Sequence, residues 1–122
     1  MSGLTGLSVL LIEDEFLIAL DAEQILRELG AETVTIVSNF DDALRCAEGA
    51  VCDVAVLDVN LNGQLSYPIA STFKARGVPF VFASGYQLTD RSPGFESAVH
   101  VGKPYTAEGL KQAVLRALDR AS

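Results

Sequence analysis

Asp53-Val54-Ala55-Val56-Leu57-Asp58-Val59-Asn60 sets four apolar residues, two of them β-branched, directly before a carboxylate. No polar residue alternates with them, so both faces of the segment want burial, as in a central strand of a parallel sheet. In open α/β sheets, ligands bind at the carboxyl ends of the strands, which makes Asp58 the first candidate for chemistry. Taken alone, Asp58 is also readable as a loop opener or a helix cap, both common uses of Asp.

The same pattern repeats outward from this stretch. Ser8–Ile12 is a second buried run, ending in Glu13-Asp14-Glu15. A helix follows, with Ile18, Ala22, Ile25 and Leu29 at helical spacing and Gly30 as its stop. Thr33–Val37 is a β-branched strand, after which Ser38 is placed to cap a helix carrying Ala43, Leu44 and Ala47 and ending near Gly49. Beyond Asp58, Asn60-Leu61-Asn62-Gly63 is turn chemistry. Ile69, Ala70 and Phe73 then continue as a helix ending at Gly77, with Pro68 in its first turn, where a missing N–H is tolerated. A fourth buried strand spans 79–83 and runs into Ser84-Gly85-Tyr86. A short fifth spans 98–101 and runs into Gly102-Lys103-Pro104. Leu110, Ala113, Val114, Ala117 and Leu118 give a last amphipathic helix, capped by Thr106.

Strand and helix alternate almost throughout, which implies right-handed crossovers and a parallel sheet covered on both faces. Five such strands suit a doubly wound, flavodoxin-like α/β fold. Between Ser84 and His100 a fourth helix is due, but Pro93 and Gly94 interrupt the pattern, so it is expected to be short or irregular. The 122 residues suit one domain, and no linker or repeat marks a second. A 49% hydrophobic and 20% charged composition is that of a folded globular chain. A formal charge of −7 disfavours nucleic acid as a partner. The apolar runs are too short to span a bilayer, and no secretory signal is present at the N-terminus. Cys46 and Cys52 lack metal-ligand spacing and read as reduced structural thiols of a cytoplasmic protein.

The strand ends collect a constellation. Glu13 and Asp14 follow the first strand, Asp58 the third, Ser84 the fourth and Lys103 the fifth, and in a parallel sheet all of these ends share one edge. Three carboxylates there repel one another. Mg²⁺, which takes oxygen ligands and keeps several waters, would relieve that repulsion. Lys103 adds a compact positive charge and Ser84 a hydroxyl. Together they suit a phosphoryl group, whose transfer depends on positioning and charge neutralisation. A carboxylate in that setting is a plausible nucleophile that forms an aspartyl phosphate.

Glu13-Asp14, Asp58, Ser84 and Lys103-Pro104, in this order at these strand ends, resemble the receiver domain of bacterial two-component response regulators across essentially the whole chain. The resemblance implies that Asp58 is the phosphoacceptor. It further implies that Asp14, Asp58 and the Asn60 carbonyl ligate Mg²⁺ with Glu13 acting through water, that Ser84 and Lys103 bind phosphoryl oxygens, and that the Lys103–Pro104 bond is cis. Phe82-Ala83-Ser84-Gly85-Tyr86 is similar to the signature of the FAT-GUY single-domain regulators, with Ser84 for the usual Thr. Those proteins are associated with kinases of the HWE and HisKA2 type, and they lack a regular fourth helix.

One departure stands out. His100 occupies the place where many receivers carry an aromatic switch residue, and Tyr105 follows Lys-Pro. Tyr86 or Tyr105 is therefore expected to take over part of that coupling. The resulting expectation is a single-domain response regulator that accepts phosphate from a histidine kinase or phosphotransferase and has no output domain. It would signal by contact with a downstream protein, through the face around the fourth helix, fifth strand and last helix, or act as a phosphate sink. Catalysis would be confined to its own Mg²⁺-dependent phosphorylation and dephosphorylation. The alternatives are a phosphorylation-independent interaction module of the same fold and a flavodoxin-like cofactor binder. The acids at the strand ends disfavour the latter because they repel phosphate unless a metal intervenes.

Overall fold

The structure is a computed structural model that describes residues 3–49, 51–85, 95 and 97–121. Among the described residues eleven elements follow one another: β1 (Ser8–Ile12), α1 (Phe16–Glu28), β2 (Thr33–Val37), α2 (Phe40–Gly49), β3 (Val54–Asp58), β4 (Asn60–Leu61), β5 (Gln64–Leu65), α3 (Tyr67–Arg76), β6 (Phe80–Ser84), β7 (Val99–Gly102) and α4 (Ala107–Ala121). The expected fourth helix, with Tyr86, Pro93 and Gly94, falls on residues outside those described.

Five strands form one parallel sheet in the order β2-β1-β3-β6-β7. β3 lies in the middle, and every one of its residues is buried. Strand parity divides the core. Val9, Leu11, Val54, Val56, Val81 and Ala83 pack toward α1 and α4, while Leu10, Ile12, Ala55, Leu57 and Phe82 pack toward α2 and α3. β2 sits at an edge and shows polar alternation, with Val34 and Val37 buried and Thr33, Thr35 and Ile36 exposed. This is the doubly wound α/β fold expected from the alternation of elements. The chain turns to opposite sides of the sheet on leaving β1 and β3, so a crevice opens between their carboxyl ends. Among the described residues, no helix is long and apolar enough to cross a membrane.

Local signals place the helices. Gly30 follows the Leu29 cap of α1 at φ 106°, and Gly77 ends α3 in the left-handed region at φ 73°. Thr106 Oγ1 accepts the Gly109 N–H at 3.0 Å, capping α4 as expected. The cap of α2 is Asn39 rather than Ser38. Its Oδ1 accepts the Asp42 N–H at 2.8 Å, the reach of a cap to the third helical residue.

The segment after Asp58 holds more structure than a turn. β4 and β5 form a two-residue-loop hairpin with Asn62 and Gly63 at φ 52° and 88°. Positive φ at both central residues is what a type I′ hairpin requires, and Asn-Gly is its preferred pair. The hairpin returns the chain to Ser66, which is buried and donates its Oγ hydrogen to the Asp58 carbonyl at 2.6 Å. Both cysteines are free and half-buried, and burial pushes the Cys52 thiol up.

Candidate phosphoryl and metal site

The ends of β1, β3, β6 and β7 bring most of the expected residues to one crevice. Glu13 continues β1 and is held there by its N–H, which donates to the Val37 carbonyl at 3.0 Å. Glu13 is 1% exposed, and Asp58 is 5% exposed. Lys103 Nζ lies 3.1 Å from Glu13 Oε1 and 3.0 Å from Asp58 Oδ2, so one ammonium joins both acids. The other carboxylate oxygens accept backbone N–H groups, Glu13 Oε2 from Glu15 at 3.1 Å and Asp58 Oδ1 from Asn60 at 3.2 Å. Asp14 Oδ2 accepts the Asn62 N–H at 3.0 Å, which ties the hairpin to the acidic strand end.

Among the described residues, Glu13, Asp14 and Asp58 each offer an oxygen within 4.8 Å of the others. An all-oxygen set of this size fits a hard divalent cation such as Mg²⁺. A cavity of about 690 Å³ opens above it, lined by Asp14, Asp58, Asn60, Lys103 and Tyr105 among others. The structure therefore brings Glu13, Asp14, Asp58, Asn60 and Lys103 together. Ser84 ends β6 opposite Gly102, and its carbonyl accepts the Lys103 N–H at 2.9 Å. Its neighbour Gly85 lines the cavity. The Lys103–Pro104 bond is cis. His100 lies across from Phe82 in the strand register, with the two rings 5.3 Å apart.

Charge is crowded here. Burial pushes the Glu13 carboxyl up to about 7; the Glu15 N–H opposes this, Asp58 reinforces it and Lys103 opposes it. Burial works against the Lys103 charge, but its bonds to Asp58 and Glu13 prevail and hold it above the ordinary range. Burial, followed by the charges of Glu13 and Asp58, pushes the Tyr105 phenol up.

A pH dependence follows from Glu13. The folded chain binds its proton more tightly than the unfolded chain, whose value is 4.5. Metal-free stability therefore declines as pH rises from about 4.5 to about 7, by at most roughly 3 kcal/mol, and stays lower above that window. Urea unfolding in EDTA between pH 5 and 8 should show this slope in the native sequence and a flattened one in Glu13→Gln. An equal slope in both would remove Glu13 as its source.

Two of these residues were not visible to sequence reasoning in their observed roles. Ser66 buttresses the Asp58 backbone, and its only signal was a Ser placed before Tyr67-Pro68 at a helix start. The resemblance places Lys103 on phosphoryl oxygens, whereas here it bridges Glu13 and Asp58.

No family model matches the chain. The solution structure of SdrG from Sphingomonas melonis Fr1 is 39% identical, covers 97% of this chain and 98% of that one, and has a TM-score of 0.77. SdrG is also known in a BeF3-activated conformation. A response regulator receiver protein from Sinorhizobium medicae WSM419 is 27% identical over 96% of this chain and 98% of that one, with a TM-score of 0.83. The receiver domain of sensor histidine kinase PA1611 from Pseudomonas aeruginosa PAO1, solved with magnesium coordinated in its active site cleft, is 25% identical over 94% of this chain and 99% of that one, with a TM-score of 0.77. The transcriptional regulatory protein PdtaR of Mycobacterium tuberculosis strain H37Rv is 28% identical over 116 residues, or 92% of this chain. The chain spans 57% of the length of that curated relative. With likeness of this kind along nearly its full length, and with its acids at the carboxyl ends of β1 and β3, the chain belongs to the response regulator receiver domains.

Proposed function

We propose that the protein is a phosphoryl-accepting regulator in which Asp58 is the nucleophile. The observation that carries this reading is the junction at the crevice, where Lys103 bonds both Glu13 and Asp58 and three carboxylates converge at the carboxyl end of the sheet. A carboxylate of Asp58 attacks phosphorus, forming an O–P bond as the bond between phosphorus and the donor breaks. The electron pair of that bond leaves with the donor, the imidazole nitrogen when the donor is a phosphohistidine. Glu13, Asp14, Asp58 and Asn60 would hold Mg²⁺, which supplies, when bound, neutralisation of the phosphoryl oxygens. Lys103 then exchanges its carboxylate partner for a phosphoryl oxygen, with Ser84 as a second donor from the end of β6.

On this reading the donor is a histidine kinase or a phosphotransferase, and the likeness of Phe82-Ala83-Ser84-Gly85-Tyr86 to the FAT-GUY signature supports a kinase of the HWE or HisKA2 type. Phe16 and Leu17, 72% and 78% exposed at the start of α1, support a protein donor, because Leu17 also lines the cavity. Output is contact with a downstream protein or removal of phosphate from the pathway, in the cytoplasm. No separate substrate is turned over.

The test is incubation with a small acyl phosphodonor, with and without Mg²⁺, followed by intact-mass measurement. The expected result is one base-labile phosphoryl adduct that requires Mg²⁺. No adduct, from the donor or from any kinase offered, would favour an interaction module that works without phosphate.

A further inference from the structure

Among the described residues, the chemistry just proposed leaves the buried Tyr105 hydroxyl without a task. Tyr105 is 6% exposed, and its hydroxyl is buried with no hydrogen-bond partner. Such orphans are rare in folded proteins and call for a reason. Its ring is accounted for by the apolar cluster between the sheet and helices α1 and α4, with Val56, Ala83 and Leu110. Phe would fill that space equally well, so packing explains the ring and not the oxygen.

The position of the residue offers a reason. Tyr105 lines the same cavity as Asp58 and Lys103. Asp58 continues the parity of Val54 and Val56, so its side chain leaves β3 on the face of the sheet that also buries Tyr105. Each oxygen of the two buried carboxylates already has a donor. Glu15 N–H and Lys103 serve Glu13, and Asn60 N–H and Lys103 serve Asp58. The phenol is thus a donor beside two buried carboxylates whose oxygens are all engaged, and it gains a partner when a new acceptor enters.

We infer that the Tyr105 hydroxyl is a phosphoryl-binding donor, without a protein partner beside unmodified Asp58 and bonded to a phosphoryl oxygen once Asp58 carries the group. This rests on Asp58 as phosphoacceptor. It gives the fold a side chain that is satisfied only in the loaded state, three residues past the end of β7.

Beryllofluoride, a tetrahedral stand-in for the phosphoryl group, is the probe, applied to the full chain with saturating Mg²⁺ and followed by calorimetry. In Tyr105→Phe, beryllofluoride affinity should fall about five- to tenfold, as expected for one lost hydrogen bond. Mg²⁺ affinity should stay within about twofold, and the metal-free melting temperature should be equal or higher, since an unsatisfied hydroxyl is gone. Unchanged beryllofluoride affinity overturns the inference. So does a parallel loss of Mg²⁺ affinity, which would trace the effect to altered packing. A second readout needs no variant: the Tyr105 hydroxyl proton should become protected from exchange in NMR spectra when beryllofluoride is added, and an unchanged proton overturns the inference. If the native sequence takes up no beryllofluoride at all, the phosphoacceptor reading itself fails and this inference falls with it.

Discussion

Lys103→Met should cost the metal-free protein about 3 kcal/mol at pH 8, in the range measured when one partner of a buried ion pair is removed. Lys103 Nζ is the cation bonded to both Glu13 and Asp58, and the side chains of the three residues are only 10%, 0% and 7% exposed. Without it, two nearly buried carboxylates face each other with little water to screen them. Met preserves the apolar stem, so the loss reports the charge. The variant has one escape, which is to protonate an acid. Glu13 is the candidate, because burial already pushes its carboxyl up to about 7. The penalty should therefore shrink markedly at pH 5, and Mg²⁺ at pH 8 should restore part of the stability by supplying the missing positive charge. Urea unfolding at the two pH values, with EDTA or Mg²⁺, checks all three statements. A loss below about 1 kcal/mol, typical of a surface ion pair, or one that ignores pH, would show that Lys103 does not hold the acids together.

The second large effect concerns the metal. A ligand that binds only the folded chain stabilises it by about 2.7 kcal/mol at a hundred times its dissociation constant, so Mg²⁺ should raise the melting temperature by several degrees and EDTA should reverse the rise. Asp14→Ala should abolish most of that response. Asp14 is one of the three converging carboxylates, and it lines the cavity. Its other structural task is to accept one N–H from Asn62, an exposed bond whose loss costs at most about 1 kcal/mol. The variant should therefore still fold. An equal thermal response to Mg²⁺ in Asp14→Ala and the native sequence would place the ion elsewhere.

Much of this site could be read before the structure because parallel strands put their carboxyl ends at one edge. Once 54–57 reads as a strand buried on both faces, Asp58 must stand at that edge, and Glu13, Asp14, Ser84 and Lys103 join it by the same rule. What escaped the sequence is of two kinds. Short elements carry no period. β4 and β5 have two residues each, so Asn62-Gly63 announced a turn but nothing announced the strands beside it. Partner choice across the fold is equally hidden. Nothing in a linear reading pairs Ser66 with the Asp58 carbonyl, or turns Lys103 toward Glu13. The stripe Ile18, Ala22, Ile25 and Leu29 marks the inner face of α1: Ala22 and Leu29 are buried, and Ile18 and Ile25 pack half-buried against the same core. Its centre is wider than the stripe, because Ala19 and Leu26 are buried as well, and a single Ala is a weak hydrophobic signal. The cap of α2 at Asn39 rather than Ser38 is a one-residue shift, between two neighbours that both cap well.

Chemical trapping tests the central claim most directly. After incubation with an acyl phosphodonor and Mg²⁺, borohydride reduces an aspartyl phosphate to homoserine, and peptide mass spectrometry locates it. The account predicts homoserine at position 58 and at no other acid, with none formed when Mg²⁺ is withheld. Homoserine at position 14, a label spread over the acidic cluster, or none at all would contradict it.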